Sequence, residues 1–221
     1  MRIYLKTSGS QQVIAYNYQR KLVGCIHKWL GPNKWHDQIS LFSLSWLYGK
    51  YKSVKKKGLI FDQGAQFFFS CPNPIIIKQL IHGIQESPEM FEGLVVQEVS
   101  LVETPSFGEE AYFYVQSPVL IKRTQEQNRI KFYFPEDHEA NKLLTETLVN
   151  KLKNAGLEDK KINVSFDSNY PKAQKKVSTY NGIDNKASIC PIRIQGDPEA
   201  VAFAWEVGVG NSTGIGFGAL K

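Results

Sequence analysis

The order of strand and helix patterns is the feature of this sequence that most constrains its fold, because a similar order occurs twice. Residues 2–6 place Ile3 and Leu5 on one face and Tyr4 on the other, which predicts a strand. Residues 17–30 carry apolar side chains at helical spacing and end at Gly31-Pro32, which predicts a helix. Further strands are predicted in residues 39–48, 59–61, 65–71, 94–104 and 111–116, with a second helix in residues 74–85 and a basic hairpin loop in residues 49–58. This β-α-β-β-α-β order with additional strands is typical of a ferredoxin-like unit.

The second half of the chain repeats the pattern. Its clearest helix is predicted in residues 136–155, with acidic residues at its start, Lys151 and Lys153 near its end and Gly156 after it. Strands are predicted in residues 119–123, 130–134, 162–166, 176–180 and 188–194, and a short helix in residues 198–207. We therefore predict an α+β protein of two tandem ferredoxin-like (βαββαβ) domains, residues 1–117 and 118–221, which suits a chain of 221 residues.

A glycine-rich segment follows the last predicted helix. The eleven residues 208–218 include Gly208, Gly210, Gly214, Gly216 and Gly218. A flexible tail is one interpretation, but Val209, Ile215 and Phe217 stand between the glycines, and a free linker would be polar. A dinucleotide-binding fingerprint is disfavoured because no helix pattern follows. The segment instead predicts a loop whose backbone approaches another group closely and whose amides can cradle phosphate.

Three blocks of the sequence carry a resemblance to a known family. They are residues 16–27, residues 35–37 followed by 41–45, and residues 205–218. Through them the chain resembles the repeat-associated RNA-binding superfamily of CRISPR proteins and, over nearly its whole length, the sixth CRISPR-associated family, the repeat-cleaving endoribonucleases. The resemblance implies two ferredoxin-like domains and cleavage of CRISPR precursor RNA within its repeats. It also implies attack by the 2′-hydroxyl, products ending in a 2′,3′-cyclic phosphate or 3′-phosphate, and no metal or other cofactor.

The four histidines are the candidates for proton transfer, since the imidazole pKa lies near working pH. His36 aligns with the family's catalytic histidine. His27 lies about 120° from the centre of its helix's apolar stripe, at a family position that holds tyrosine or a second histidine; a plain surface histidine remains the alternative there. His82 and His138 match no family catalytic position and are interpreted as structural or surface residues.

The family's phosphate-steadying lysine has no counterpart at the matching position, which is Ser40. Lys34, Arg20, Lys50 or Lys52 could substitute, and the sequence does not choose among them. The cysteines Cys25, Cys71 and Cys190 are far apart and form no CxxC pair. Their spacing argues against a zinc site and a disulfide framework, and it favours a reducing cytoplasm.

The formal net charge of +6 favours a polyanionic partner. The candidate phosphate contacts are Arg20, Lys50, Lys52, Lys55, Lys56 and Lys57, together with Lys172, Lys175 and Lys176. Tyr51 and Tyr170 could stack on bases. Ordinary solvated loops are the alternative interpretation of both clusters.

The leading hypothesis is the repeat-cleaving endoribonuclease, with CRISPR repeat RNA as partner. A non-cleaving repeat-RNA-binding or assembly protein of the same superfamily is the alternative, and an unrelated basic RNA-binding module is a third. A pure binder has no need of His27 and His36 together, which favours the enzyme. Other CRISPR effector-complex subunits and a second copy of the chain stay open as partners. No run approaches the roughly 18 apolar residues of a membrane span.

Overall fold

The computed structural model describes residues 1–32 and 40–221. The helices of these residues are α1 (Gln19–Leu30), α2 (Pro74–Glu86), α3 (Ala140–Asn154) and α4 (Pro198–Val207). The strands are β1 (Arg2–Thr7), β2 (Ser43–Leu44), β3 (Lys52–Val54), β4 (Gly58–Ile60), β5 (Gln66–Ser70), β6 (Val96–Val102), β7 (Glu110–Phe113), β8 (Lys122–Thr124), β9 (Ile130–Phe132), β10 (Ile162–Phe166), β11 (Gln174–Tyr180), β12 (Ile183–Ile189) and β13 (Ile192–Gly196). Short 3₁₀ turns occupy Glu126–Asn128 and Thr213–Ile215.

The first unit is built on an antiparallel sheet in the order β2-β5-β1-β6. With α1 after β1 and α2 after β5, this is the ferredoxin-like arrangement. Ile3 and Leu5 of β1 share one hydrophobic core with Leu22 and Ile26 of α1 and Leu80 of α2. The apolar face of β1 and the apolar stripe of α1 therefore pack against each other. The basic hairpin predicted in residues 49–58 is confirmed as β3–β4, inserted between β2 and β5.

The second unit has the sheet order β10-β13-β7, with α3 before β10 and α4 after β13. The end of the chain runs antiparallel beside the residues after β7, in an isolated bridge between Val115 and Leu220. Gln116 N donates to Ala219 O at 2.8 Å, and Lys221 N donates to Tyr114 O at 2.7 Å. A ferredoxin-like unit has its fourth strand at this position, so the segment after Gly218 takes that strand's place. The predicted α+β class with two tandem ferredoxin-like units is confirmed.

One strand assignment of the sequence prediction was wrong. The strand predicted in residues 111–116 was expected to complete the first unit, but β7 pairs with β13, for example Phe113 with Ile192. Alternation of apolar and polar residues identifies a strand but does not identify its pairing partner. Here Phe113 packs in the core of the second unit. The strands predicted in residues 119–123 and 130–134 are present as β8 and β9, which pair with each other in a separate hairpin. The division at 117/118 stays a prediction, and the pairing of β7 favours a division between β6 and β7.

The start of the long helix was also misplaced. Residues 136–139 form turns, and α3 begins at Ala140. The Asp137 side chain accepts a hydrogen bond from the Phe134 amide at 2.7 Å, which stabilises a turn at that point. Asp side chains commonly bond nearby backbone amides in this way, in competition with helix.

The two units meet at an interface built from the helix-free face of the first sheet and α4. The Arg2 guanidinium is fully buried between the rings of Trp205, 3.6 Å from its centroid, and Phe68, 3.9 Å from its centroid. Its Nη2 donates to Trp205 O at 2.8 Å. The Met1 ammonium forms an ion pair with Glu206. These contacts anchor α4, and with it the glycine-rich segment that follows, against the first unit.

Candidate functional site

The glycine-rich segment 208–218 is mostly buried between the units and does not extend as a tail. Gly218 has a φ of 64°, and a Cβ there would lie 1.8 Å from Val209 O. A Cβ at Gly214 would lie 2.2 Å from Ser40 Oγ. Side chains cannot occupy such positions without displacement of the backbone or of a neighbour. The predicted close approach is real, and at these two positions it is to the protein itself.

Several amides of the segment are already bonded within the protein. Val209 N donates to Gly218 O at 2.9 Å, Asn211 N to Leu120 O at 2.7 Å, and Gly218 N to Pro118 O at 2.8 Å. These three groups hold the segment in place and have their hydrogen bonds satisfied. Gly208, Gly210, Gly214, Gly216 and Gly218 were all predicted to contact RNA, and that role stays a prediction.

Gln19, the first residue of α1, ties the segment to both units. Its side chain is 2% exposed. Its Nε2 donates to Ile215 O, and its Oε1 accepts a hydrogen bond from Ser178 Oγ on β11. Trp46 Nε1 donates to Gly216 O at 2.7 Å. The segment, the start of α1 and β11 are thereby fixed relative to one another.

Lys151 is a buried cation, and from the sequence alone it was predicted only to lie near the end of a helix. It is 4% exposed, and its Nζ donates to Val207 O and Gly208 O at 3.1 Å and to Thr213 Oγ1 at 3.0 Å. Burial lowers the pKa of Lys151 to about 7. A signal was present, since Lys151 continues the helical spacing of Leu144 and Leu148, the buried face of α3.

The two predicted catalytic histidines have different outcomes. His27 is half-buried on α1, outside the set of residues that α1 contributes to the core. Arg20, Gly24 and His27 are spaced i, i+4 and i+7, so they lie along one face of the helix. His36 falls in residues 33–39, together with Lys34, and lies outside the described residues.

The remaining predicted positions are described. Ser40 is half-buried and packs against Gly214. His82 is exposed and lies 3.3 Å from Glu86, one turn further along α2. His138 is exposed as well. Both histidines are therefore surface residues, which agrees with the interpretation from the sequence.

The predicted phosphate contacts in the first unit are all exposed. Lys55, Lys56 and Lys57 form the turn of the hairpin β3–β4. Lys50 precedes the hairpin, and Lys52 is in an ion pair with Asp62 at 2.5 Å. Hydrogen bonding to that carboxylate raises the pKa of Lys52. The three turn lysines are thus the most open cationic group of this hairpin.

Nothing in the described part of the chain assembles a metal site, as no group of three or more His, Cys, Asp or Glu residues there could hold an ion. Cys25, Cys71 and Cys190 are buried free thiols. None of the helices in residues 1–32 and 40–221 is long and apolar enough to cross a membrane.

Comparison with known proteins places this arrangement in a family. Residues 102–221 match the family model described as CRISPR associated protein Cas6, C-terminal. That match covers more than half of the chain, so the protein belongs to the Cas6 family. The resemblance found from the sequence is confirmed.

Individual relatives agree with this assignment. The chain is 25% identical over 244 aligned residues to the CRISPR-associated endoribonuclease Cas6 1 of Methanocaldococcus jannaschii, an alignment that covers 100% of this chain and 92% of that protein. It is 23% identical to the CRISPR-associated endoribonuclease-like protein Cas6nc of Pyrococcus horikoshii, over 78% of this chain and 74% of that protein. A solved structure of a Cas6-related gene from Pyrococcus furiosus superposes with a TM-score of 0.88 at 21% identity, over 100% of this chain and 97% of that one. The structural likeness supports the fold.

We expect Lys151→Met to lower the free energy of unfolding, and to lower it more at pH 9.5 than at pH 7. The substitution leaves buried carbonyls of the glycine-rich segment without a donor, which costs about 1–3 kcal/mol per group. The folded pKa of about 7 lies below the ordinary lysine value of 10.5. Between these values the unfolded chain binds more protons, so wild-type stability rises with pH through this window.

Urea unfolding of wild type and Lys151→Met at both pH values measures this difference. Lys153→Met is the matched control, because Lys153 is exposed on the same helix. A gap between wild type and Lys151→Met that is the same at both pH values would show that Lys151 does not titrate in this range.

Proposed function

We propose that this protein is an endoribonuclease that cleaves CRISPR precursor RNA within its repeats, without a metal ion, to produce guide RNAs. The observation that carries the proposal is membership of the Cas6 family, together with a full-length alignment to a relative that is named as a CRISPR-associated endoribonuclease. The net charge of +6 supports a polyanionic substrate.

The proposed chemistry needs two proton-transfer groups. One group takes the proton of the 2′-hydroxyl as its oxygen attacks the adjacent phosphorus. The other protonates the 5′-oxygen as the P–O5′ bond breaks, which leaves a 2′,3′-cyclic phosphate and a 5′-hydroxyl. We assign these roles to His36 and His27, because the neutral and charged forms of imidazole are both available near pH 7. His27 is half-buried and is not among the residues that α1 buries in the core, which supports this assignment.

The phosphate-steadying role is open because Ser40 stands at the family's lysine position. Arg20 is our first candidate, since it is exposed and shares a face of α1 with His27. Seven residues of helix separate the two by about 10 Å along the axis, within reach of a long arginine side chain and a neighbouring phosphate. Lys34 and Lys50 remain candidates, while Lys52 is engaged with Asp62.

A second candidate function is a repeat-RNA-binding or assembly protein that does not cut. The serine in place of the lysine favours it, because loss of a cation at the phosphate would weaken transition-state stabilisation. CRISPR repeat RNA is the proposed partner under either reading. Subunits of an effector complex, a second copy of the chain and a cytoplasmic location remain predictions.

Cleavage of the host's repeat RNA is expected to persist in excess EDTA. General acid–base catalysis by imidazole requires no divalent ion. The measurement is the appearance of two fragments on a denaturing gel, with a terminal cyclic phosphate or 3′-phosphate on the upstream one. Activity that returns only on addition of a divalent ion would contradict the metal-free mechanism, and binding without cleavage under all conditions would favour the second candidate.

His36→Ala is expected to reduce the single-turnover cleavage rate by roughly 10²- to 10⁴-fold while repeat RNA still binds. Affinity is distributed over many phosphate contacts, so one neutral side chain matters little to it. His27→Ala should lower the rate as well, and the double variant should be little worse than the poorer single variant. His82→Ala is the control, because His82 is an exposed histidine on α2. A wild-type rate in His36→Ala would remove the assignment.

Charge reversal of the hairpin turn, Lys55→Glu with Lys56→Glu and Lys57→Glu, is expected to weaken RNA binding and flatten its salt dependence. Each phosphate contact to a single strand contributes about 0.7 to the slope of log K against log salt, so three contacts contribute about 2. Reversal of the exposed lysines Lys78, Lys142 and Lys153 changes the net charge equally and is the control. Equal effects of the two triple variants would show that only the overall charge matters.

A further inference from the structure

A cleft of about 380 Å³ lies where the two units meet beside the start of α1. The first unit contributes residues from the approach to α1, from the segment after β2 and from the hairpin β3–β4. The second unit contributes residues 176–179 of β11. The lining residues used below are Tyr16, Trp46, Tyr51, Phe61 and Lys176. Its volume lies at the lower end of the range of about 300–1,000 Å³ that is usual for small-ligand sites.

Two large aromatic side chains of the cleft are open to solvent. Tyr16 is 53% exposed and Tyr51 is 58% exposed. Both are held by neighbours: the Tyr16 hydroxyl is hydrogen-bonded to Ser53 Oγ at 2.8 Å, and the Tyr51 ring lies 5.8 Å from the ring of buried Phe61. The rings are therefore positioned in advance, with unused aromatic surface facing the cleft.

The two walls of the cleft are fixed relative to each other. The hydrogen bond between Gln19 and Ser178 joins α1 to β11 across it. Trp46, which lines the cleft, is bonded through Nε1 to Gly216 O of the glycine-rich segment. The segment thus forms a support behind the cleft, and a ligand there would contact both units without ordering a loop.

One cationic side chain, Lys176, lines the cleft in the described part of the chain. Lys176 is exposed on the wall from β11. Two further exposed cations, Lys50 and Arg20, are the chain neighbours of Tyr51 and Gln19. Asp62 is engaged by Lys52. Open aromatic rings beside cationic side chains are the combination that binds single-stranded nucleic acid, through base stacking and phosphate contacts. An anionic peptide would use the cations but not the open ring faces.

We propose that this cleft binds unpaired bases of single-stranded RNA, with Tyr16 and Tyr51 as the stacking surfaces and Lys176 as a phosphate contact. The inference deepens the proposed function and rests on it for the identity of the RNA. It assigns the recognition of unpaired nucleotides to a site that both units build, separate from the exposed face of α1 that carries His27.

The test uses the full chain and a 2′-O-methyl version of the repeat RNA, in which the attacking hydroxyl is blocked, with binding followed by fluorescence anisotropy. Tyr16→Ala and Tyr51→Ala should each weaken binding by roughly 5- to 150-fold, the equivalent of about 1–3 kcal/mol per stacked base. Tyr16→Phe and Tyr51→Phe keep the ring and should bind within about twofold of wild type. Tyr114→Ala, at a 55% exposed tyrosine outside the lining of this cleft, is the control for loss of an exposed ring.

Wild-type affinity in both alanine variants would overturn the proposal. Equal losses in the alanine and phenylalanine variants would overturn it too, because they would point to the hydroxyls and not to stacking. The affinity for a fully double-stranded RNA of the same length should be the same in the alanine variants as in wild type. An equal loss of affinity for that RNA would contradict recognition of unpaired bases.

The same experiment separates this inference from the proposed function. If wild type binds and the alanine variants bind weakly, but unmodified repeat RNA is never cut, base binding in the cleft is supported and the endoribonuclease activity is contradicted. If unmodified RNA is cut and the alanine variants bind as wild type does, the endoribonuclease activity is supported and base binding in the cleft is contradicted. Thermal unfolding of each variant checks that it is folded, which is expected because both tyrosines are more than half exposed.

Discussion

The close packing of the glycine-rich segment between the two units is the constraint on which the rest of the structure depends. At Gly218 the space for a Cβ is already taken by the carbonyl of Val209, and at Gly214 it is taken by Ser40. Backbone can therefore run through a gap that no side chain could enter. The segment leads directly into residues 219–221, which take the place of the fourth strand of the second sheet, and it contacts Gln19 at the start of α1. A bulkier segment would separate the units and move both the cleft and α1.

Lys151 shows what this packing requires electrostatically. The turn at the end of α4 leaves the carbonyls of Val207 and Gly208 buried, and a single ammonium group supplies both with hydrogen bonds. The charge is desolvated in the process, which is why its pKa falls to about 7. A buried amide donor could satisfy the same carbonyls without that desolvation. The lysine reaches them from α3, however, and so links the long helix directly to the segment.

The fold was predictable where local patterns determine it. The alternation in β1 and the apolar stripe of α1 were sufficient to place both elements, and the repeated order was sufficient for the ferredoxin-like class. The partner of β7 was not predictable, because its alternation is compatible with either sheet and only the burial of Phe113 beside Ile192 decides between them. The glycines predicted a close approach, but the approaching group was taken to be a ligand. At Gly214 the approaching group is the side chain of Ser40, which is distant in the sequence. At Gly218 it is the carbonyl of Val209, which no sequence motif marks as a contact.

The geometry of α1 connects the parts of the site that are described. Gln19, at its first turn, borders the base-binding cleft that we propose, and His27 lies eight residues further along. At 1.5 Å per residue the two are about 12 Å apart along the axis. One strand of a B-form duplex advances about 3.4 Å per nucleotide, and at that spacing three to four nucleotides cover the distance. Bases held at Tyr16 and Tyr51 would therefore set which phosphate reaches His27, and Arg20 would meet the backbone between them. In such an arrangement the binding of the unpaired bases determines which phosphate lies at His27. Recognition and chemistry would then take place at different positions along the same helix.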